Sequence, residues 1–541
     1  MPIAQLTGFF GANLKVESRF LPDGVGVSSI NQKPNGRGNL APWRVPLTIA
    51  GPVPGAGRKT IYRMGRDAAT PAAAWLTWTT IVHAIRAFDP LDPTERTYYT
   101  GSGSPKWTDN IQATATAPYP TASRELAVPQ PTVAPVVTLT TDGTTGDPRQ
   151  LYYVYTRVND IGWESAPSPP FLAPAAKPGA TLALSYSESV PAGNYSVTKV
   201  RWYRTQVIGN TEDAEYFFLR EYLIGASGQA DDARELGAQL ATETWLSLDT
   251  SATWLTYAWN EWATALVGKT LRCCEPNYIY AWPIEYEYTL ESTPIAQAAF
   301  AQRLVVFTAD GAEVFLGSHP SALDQKPLAL AALVSQRSLV MGDTFCMWAA
   351  DDGLWYYGTD GYRCLTANSL TAEQWKALVP STMAGYFVSI EKRPFYIGFY
   401  NDGALKGFVV DPSNQDGIYF LDTGYDAAYW DPLLRALFVY DGSAIKQWDA
   451  GATFMTTTFK SKVFRQTAHT EGEWLELLAN GAATVKVYTE QVGATDDATA
   501  LVERFNRSIT RGEYRLKDGT GGRDFQLELS TATSLTGAVI E

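Results

Sequence analysis

The chain has little of what catalytic and metal chemistry draws on. Three histidines, His83, His319 and His469, are scattered through 541 residues in no metal-ligand spacing. Each reads as a surface or loop residue. The four cysteines, Cys273, Cys274, Cys346 and Cys364, are too few for a disulfide framework. Adjacent Cys273 and Cys274 cannot form a Cys-x-x-Cys clamp, and all four read as small buried apolar residues. A Cys346–Cys364 bridge is geometrically conceivable but not demanded. No apolar run approaches the roughly eighteen residues of a membrane-crossing helix. The opening MPIAQLTGFFGANLKVESRF lacks the basic and apolar regions of a secretion signal. The expectation is folding in a cytoplasm and delivery by assembly.

Positive charge is also short. Lys and Arg number 43 against 56 Asp and Glu, a net −13, and basic clusters stop at pairs and triples such as Lys392-Arg393. A tight duplex binder would present a basic face to phosphates. An acidic balance remains compatible with DNA sliding past without adhering, or with solubility alone.

Catalytic motifs are missing as well. There is no G-x-S-x-G, H-E-x-x-H or Walker A pattern, and no G-x-G-x-x-G between strand and helix. The loop Gly51–Thr60 (GPVPGAGRKT) resembles a phosphate loop only superficially, because Pro54 and the spacing spoil it. Asp351, Gly353 and Trp355 approach the Asp box of sialidase blades, but the Ser is absent and the Trp comes one place early. The pairs Asp351-Asp352 and Glu285/Glu287 are close in sequence, which does not place two carboxyls about a glycosidic bond. No catalytic, cofactor-binding or metal-binding residue is assigned, and an enzyme is not expected.

What the chain does have is 45% hydrophobic residues, with 17 Trp, 29 Tyr and 22 Phe, and 44 Gly and 32 Pro spread along it. That composition favours large cores, strands and tight turns. Residues 1–60 read as an extended arm that must pack on its own propeller or on a neighbouring subunit. Residues 61–130 carry short strands that form a first part of a propeller. Residues 131–235 read as a β-sandwich, with half-buried alternating strands in RQLYYVYTRVND, SVTKVRWYRTQ and AEYFFLREYLIG. The strand ending in a Gly-Trp-Glu-Ser-Ala-Pro-Ser-Pro turn, and a later strand with Tyr203-Arg204, make it similar to the fibronectin III fold. The polar stretch 226–245 reads as partly helical or loose.

Residues 236–452 read as the remainder of the propeller. Hairpins turn at Asp310-Gly311, Asp352-Gly353, Asp360-Gly361, Asp402-Gly403 and Asp441-Gly442. The main turns lie 42, 50 and 39 positions apart, within the roughly 40–50-residue period of propeller blades. One helix is predicted at NSLTAEQWKALVP, with Thr371 as N-cap, Gln374 closing a capping box, Leu370 and Trp375 as a staple and Pro380 as the stop. Residues 453–541 read as a last β module. The fold class expected is all-β: a β-propeller with an inserted fibronectin III-like sandwich and a C-terminal β module.

Several stretches, in their order, resemble the nozzle, or tail tubular protein B-type, components of short-tailed bacteriophage tails. They are LPDGVGVSSINQKPNGRGNLAPWRVP, DPTERTYYTGSGSPKWTD, TRVNDIGWESAPSPP, NYIYAWPIEYEYTL, QRLVVFTADGAEVFLGSHP, SQRSLVMGDTFCMWAADDGLWYYGTDG, SLTAEQWKAL and WDAGATFMTTTFKSKVFR. The first shares the family's Asn-containing strand leading to a Gly-x-Leu-x-Pro turn. The region 251–280 departs most, with Cys273-Cys274 where a plainer strand is expected. The resemblance implies a structural virion protein, assembled in the bacterial host cytoplasm. It implies a homo-oligomer, a ring of six, below the portal and head-to-tail adaptor protein. Tail fibres or spikes would dock outside, and double-stranded DNA would pass transiently and non-specifically on genome ejection. The alternative is a glycan-binding or glycan-cleaving propeller of tail-fibre or depolymerase type, whose excess Trp and Tyr would stack on sugars rather than fill the wedges between blades.

Overall fold

The computed structural model describes residues 3–49, 51, 54–65, 74–206, 215–232, 235–490, 501–516 and 520–541. Strands dominate, and the described helices are short. The chain is all-β and built on propeller blades. Its contacts divide it into two compact units. One comprises residues 1–79, 305–312 and 327–541, and the other residues 80–304 and 313–326.

Among its described residues the first unit contains three blades of four antiparallel strands, two of them simple meanders in which each strand pairs with the next in sequence. One meander is Val340–Met341, Phe345–Ala349, Leu354–Gly358 and Gly361–Cys364. The next is Ala384–Ile390, Arg393–Asn401, Leu405–Asp411 and Asn414–Leu421. In the third, Ala427–Asp431, Ala436–Tyr440 and Ile445–Gln447 form a meander completed by Leu47–Thr48 from the arm. Each Asp-Gly pair named above sits at the turn joining consecutive strands, with Gly311 and Gly361 opening the second strand. The chemistry is local. Gly403 and Gly442 take φ of 116° and 97°, which glycine adopts without a Cβ clash. Asp441 Oδ1 accepts from the Ser443 and Ala444 amides at 2.9 and 2.7 Å.

The predicted helix is there. It spans Ala372–Lys376, Thr371 caps it, and the Gln374 side chain completes the box. Leu370 and Trp375 share one buried cluster, and Pro380 opens a separate 3-10 turn. Trp375 Nε1 donates to the Ala350 carbonyl at 2.8 Å, so the helix clamps a blade turn.

The arm is not loose. Ser28–Ile30 lies between two strands, pairing in parallel with Asn414–Leu421 and antiparallel with Thr457–Lys460. That insertion makes the blade at 384–421 and half of the C-terminal module one ten-stranded sheet. Asn31 closes the seam in the left-handed region, at φ 54°. Its side-chain amide donates to Asp422 at 2.8 Å and to the Thr456 carbonyl at 3.1 Å. Gly417 lets the arm backbone pass, since a Cβ there would lie 2.0 Å from the Phe10 carbonyl. Ala4–Leu6 pairs with Leu535–Ile540, so residues near the two ends share a sheet.

The C-terminal module is a two-sheet sandwich. One sheet is Ala4–Leu6, Leu535–Ile540, Trp474–Ala479 and Gly512–Arg515. The other is the far half of the ten-stranded sheet. Leu475, Leu477, Val485, Val487, Leu527 and Leu529 meet between them, all fully buried. Each such side chain contributes about 1.5–3 kcal/mol relative to exposure.

The second unit contains two blade-type meanders. One comprises His83–Arg86, Thr97–Thr100, Lys106–Thr108 and Arg124–Glu125. The other comprises Thr253–Tyr257, Ala263–Val267, Thr270–Cys273 and Glu287–Thr289. Between them in sequence stands the sandwich. Its three-stranded sheet is Val136–Thr141, Thr181–Ser185 and Ala230–Asp231. Its four-stranded sheet is Phe171–Leu172, Tyr152–Asn159, Val197–Thr205 and Tyr216–Leu223. Val137, Tyr153, Leu182, Leu184, Val200 and Trp202 form the shared core.

Two expectations change here. Tyr152–Asn159 is buried on both faces rather than alternating. Its outer face is covered, with Val154 joining Tyr203, Tyr216 and Leu240 in a second cluster. The described part of 226–245 is extended or turn-like, with the short strand Ala230–Asp231 and no helix; residues 233–234 lie outside the described set. A further run of four strands spans 294–328, through which the boundary between the units passes.

Candidate functional surfaces

The residues that chemistry would single out are mostly in structural use. The Asp351, Gly353 and Trp355 pattern is a hairpin turn. Trp355 Nε1 donates to Asp352 at 2.7 Å, and Trp355 stacks on Tyr362 with centroids 4.6 Å apart. Gly353 is required for packing, since a Cβ would lie 2.5 Å from Cys364 Sγ. Glu287 pairs with Arg272 at 2.5 Å, while Glu285 sits in the 3-10 turn Ile284–Tyr286. Of the Gly51–Thr60 loop, Pro52 and Val53 lie outside the described residues. The rest feeds a strand, Thr60–Arg63, rather than a helix, and Lys59 is paired with Asp426 at 2.9 Å.

All four cysteines are free thiols, with Cys273, Cys274 and Cys346 buried. Burial pushes the Cys274 thiol up to about 12 and raises Cys273 and Cys346 as well. Cys346 and Cys364 lie on strands that both pair with Leu354–Gly358 from opposite sides. An intervening strand separates them by about two inter-strand spacings, beyond disulfide reach. Among the described residues no group of three His, Cys, Asp or Glu side chains could hold a metal. No helix among them is long and apolar enough to cross a membrane.

His319 and His469 are exposed, beside Ser321 and Glu471. His83 is half-buried. It lies on the strand His83–Arg86, stacked on Trp254 with centroids 3.8 Å apart, and its Nδ1 is enclosed with no partner. Burial lowers its pKa from 6.5 to about 4, so the ring is neutral.

The Gly-Trp-Glu-Ser turn has a definite task. Trp163 stacks on Tyr280 at 4.8 Å and lies 5.4 Å from Trp107, which ties the sandwich to two neighbouring segments. Glu164 accepts from Thr156, Tyr203 and Arg201 at 2.5, 2.7 and 2.6 Å. Arg124 adds a two-oxygen contact to Asp160, at 2.7 and 2.8 Å.

The first unit contains a site that no sequence motif marks. The turns at 342–344, 391–392 and 432–435 surround a cleft of about 980 Å³, walled by Phe345, Phe387 and Trp430 and rimmed by Asp343, Lys392 and Arg435. Phe387 and Trp430 meet edge to face at 5.2 Å. Ser389, Trp430 and Arg435 also line a smaller cavity of about 290 Å³, with Lys33, Trp43, Trp448 and Asp449. Trp43 and Trp448 are 1% and 4% exposed and lie 5.5 Å apart. Neither indole N–H has an acceptor; an unpaired buried donor costs about 1–3 kcal/mol. Lys33 is paired with Asp449 at 2.5 Å. These residues come from four separate stretches, 33–43, 343–345, 387–392 and 430–449, which no local spacing could have joined.

No protein family and no curated protein matches the chain. Among solved structures it is similar to the WD40 domain of Neurospora crassa Pan2, at 7% identity over 51% of this chain and 84% of that one, TM-score 0.28. AztD of Citrobacter koseri shows 12% identity over 71% and 99%, TM-score 0.27. BamB from Moraxella catarrhalis shows 12% over 56% and 89%, TM-score 0.23. The fold assignment rests on the strand pairing described above.

Proposed function

We propose that the chain is a non-enzymatic wall subunit of the tail tube, or nozzle, of a short-tailed bacteriophage. Six copies would form a ring beneath the portal and adaptor, with fibres or spikes docking outside and the genome leaving through the channel. The observation that carries this reading is the collinear order of the stretches that resemble that family. Several of them fall on seams of the fold. The opening stretch contains the inserted strand Ser28–Ile30 and Asn31. TRVNDIGWESAPSPP supplies Trp163 at the sandwich junction. SLTAEQWKAL is the capped helix, whose Gln374 also holds the arm at the Leu14 carbonyl, 2.8 Å away. WDAGATFMTTTFKSKVFR runs from a blade into the C-terminal module. Residues that set rigidity, rather than a reactive pocket, are what a conduit wall needs. The net charge of −13 disfavours adhesion of DNA wherever it faces the lumen.

A glycan-binding propeller is the second reading, favoured by the aromatic cleft at Phe387 and Trp430. Light scattering on the purified chain separates the two. A ring of six copies of 59.2 kDa supports the tube. A stable monomer that stays monomeric when mixed with adaptor-capped particles argues against it.

A further inference from the structure

We propose that neighbouring copies of this chain meet head to tail, with the tip at Leu91 and Ile111 of one copy seated in the aromatic cleft at Phe387 and Trp430 of the next. The proposal rests on the tail-tube reading only for the number of copies, and it names the contact that would close such a ring.

The tip is rigidly held out into solvent. Leu91 and Ile111 are the two most exposed large apolar side chains among the described residues, at 85% and 77%. They stand on two segments that are tied together, the turn 88–96 and the short helix Asn110–Ala113. The Asn110 amide donates to the Thr94 carbonyl at 2.9 Å, and its side chain donates to the Pro93 carbonyl at 3.1 Å. Within the turn, the Leu91 amide donates to Asp89 at 2.8 Å and the Thr94 amide to Asp92 at 3.0 Å. Arg96 clamps Asp92 at 2.7 Å, and Pro90 and Pro93 restrict the backbone further. A turn this constrained loses little entropy on docking. Holding two aliphatic side chains in water gains the isolated chain nothing.

The cleft offers the complementary surface. Phe387 and Trp430 lie at the margins of two different core clusters and are only partly buried. Met341, 41% exposed, extends the apolar lining. At about 980 Å³ the cleft is at the upper end of ligand pockets, roughly 300–1,000 Å³, and has room for a turn carrying two aliphatic side chains. Charge runs the same way. Segments 88–96 and 109–113 contain Asp89, Asp92, Glu95 and Asp109 against Arg96 alone. Arg124, which reaches Gln112, is held by Asp160. The cleft is rimmed by Lys392 and Arg435 against Asp343, while Glu391 is taken up by the Gly36 amide at 2.9 Å. An acidic tip meeting a more basic rim aids encounter and fixes orientation. Tip and cleft are different surfaces of one chain, so their pairing is heterologous and propagates into a ring or filament rather than stopping at a dimer.

The test follows assembly of the whole chain by sedimentation velocity over a range of concentrations. Leu91→Ser with Ile111→Ser, at exposed positions outside the core, should raise the concentration of half-assembly about a hundredfold with the unfolding temperature unchanged. Met341→Glu with Lys392→Glu, both exposed on the cleft, should weaken assembly in the same way and keeps the test decisive if the first variant misfolds. Mixing the two variants should yield pairs of 59.2 kDa chains and nothing larger, since one intact tip and one intact cleft remain between them. An oligomer that both variants dissolve but that does not count six upholds the contact and sinks the six-membered tube. A ring that persists in both variants overturns the contact and leaves the tube standing. A wild-type chain that is monomeric at every concentration, alone and with adaptor-capped particles, overturns both.

Discussion

Two β-sandwiches stand at different places in this chain, and they are held by opposite means. The C-terminal one is continuous with a blade, because Ser28–Ile30 supplies the strand that joins their sheets. The inserted one shares no sheet with the blades of its unit. It is docked through Trp163 and through polar contacts such as Arg124 to Asp160 and the Asn194 side-chain amide to the Ser123 carbonyl. A shared sheet transmits load through backbone hydrogen bonds and unfolds with its neighbour. A docked module can be loosened without losing its own core.

That contrast can be broken at several points. The largest effect is expected from Phe459→Ala, in the strand beside Ser28–Ile30. Phe459 is fully buried and lies edge to face with Phe9 at 4.9 Å. The loss should be about 3–5 kcal/mol. Hydrogen exchange should rise together in the C-terminal sandwich and in the blade at 384–421. Exchange confined to the sandwich would show that the joint sheet is not a cooperative unit.

Trp163→Ala should cost a similar or slightly smaller amount, about 3 kcal/mol, but locally. Protection should fall around Trp107 and Tyr280 while Tyr153 and Trp202 stay protected. Unfolding of the whole inserted sandwich would contradict the docked arrangement.

Acid should discriminate between the units. The neutral His83 ring, half-buried against Trp254, has a pKa of about 4 against 6.5 when unfolded. The unfolded state therefore takes up the proton first, so the stabilisation is complete above pH 6.5 and lost as pH falls towards 4. The loss reaches up to about 3 kcal/mol and is carried by the unit that contains the inserted sandwich. His83→Phe should flatten that dependence in an unfolding series from pH 7 to pH 4; an unchanged slope would refute the assignment.

The smallest effect is expected from Gln32→Leu. The buried Gln32 donates to the Phe9 carbonyl at 2.7 Å and accepts from Ser29 Oγ at 2.6 Å. Its loss leaves both partners unsatisfied, at about 1–3 kcal/mol, and should lower the denaturant midpoint of the first unit alone.

Features set by neighbours in sequence were legible. Asp402-Gly403 and Asp441-Gly442 were read as turns because their geometry depends on four residues, and Thr371 to Gln374 was read as a capping box for the same reason. Features set by distant partners were not. Asn31 meets Asp422 across 391 positions, and no periodicity marks the arm as the strand that joins two sheets. His83 reads in sequence as a surface or loop residue, because its packing depends on Trp254, far along the chain. Spacing alone leaves a Cys346–Cys364 bridge conceivable, because it does not show that Leu354–Gly358 runs between them. The cavity at Trp43 and Trp448 was invisible for the same reason. Abundant tryptophan reads as filling the wedges between blades, which hides the indoles of Trp43, Trp262 and Trp448, whose N–H groups have no acceptor.

The central claim is that this chain is one of six wall subunits around a DNA conduit. Averaged electron micrographs of intact particles carrying a labelled chain test it most directly. The account predicts six labels in a ring on the tail axis, immediately below the adaptor, with density for the channel passing through. Label at the tips of peripheral fibres, or in any number other than a single ring on the axis, would contradict it.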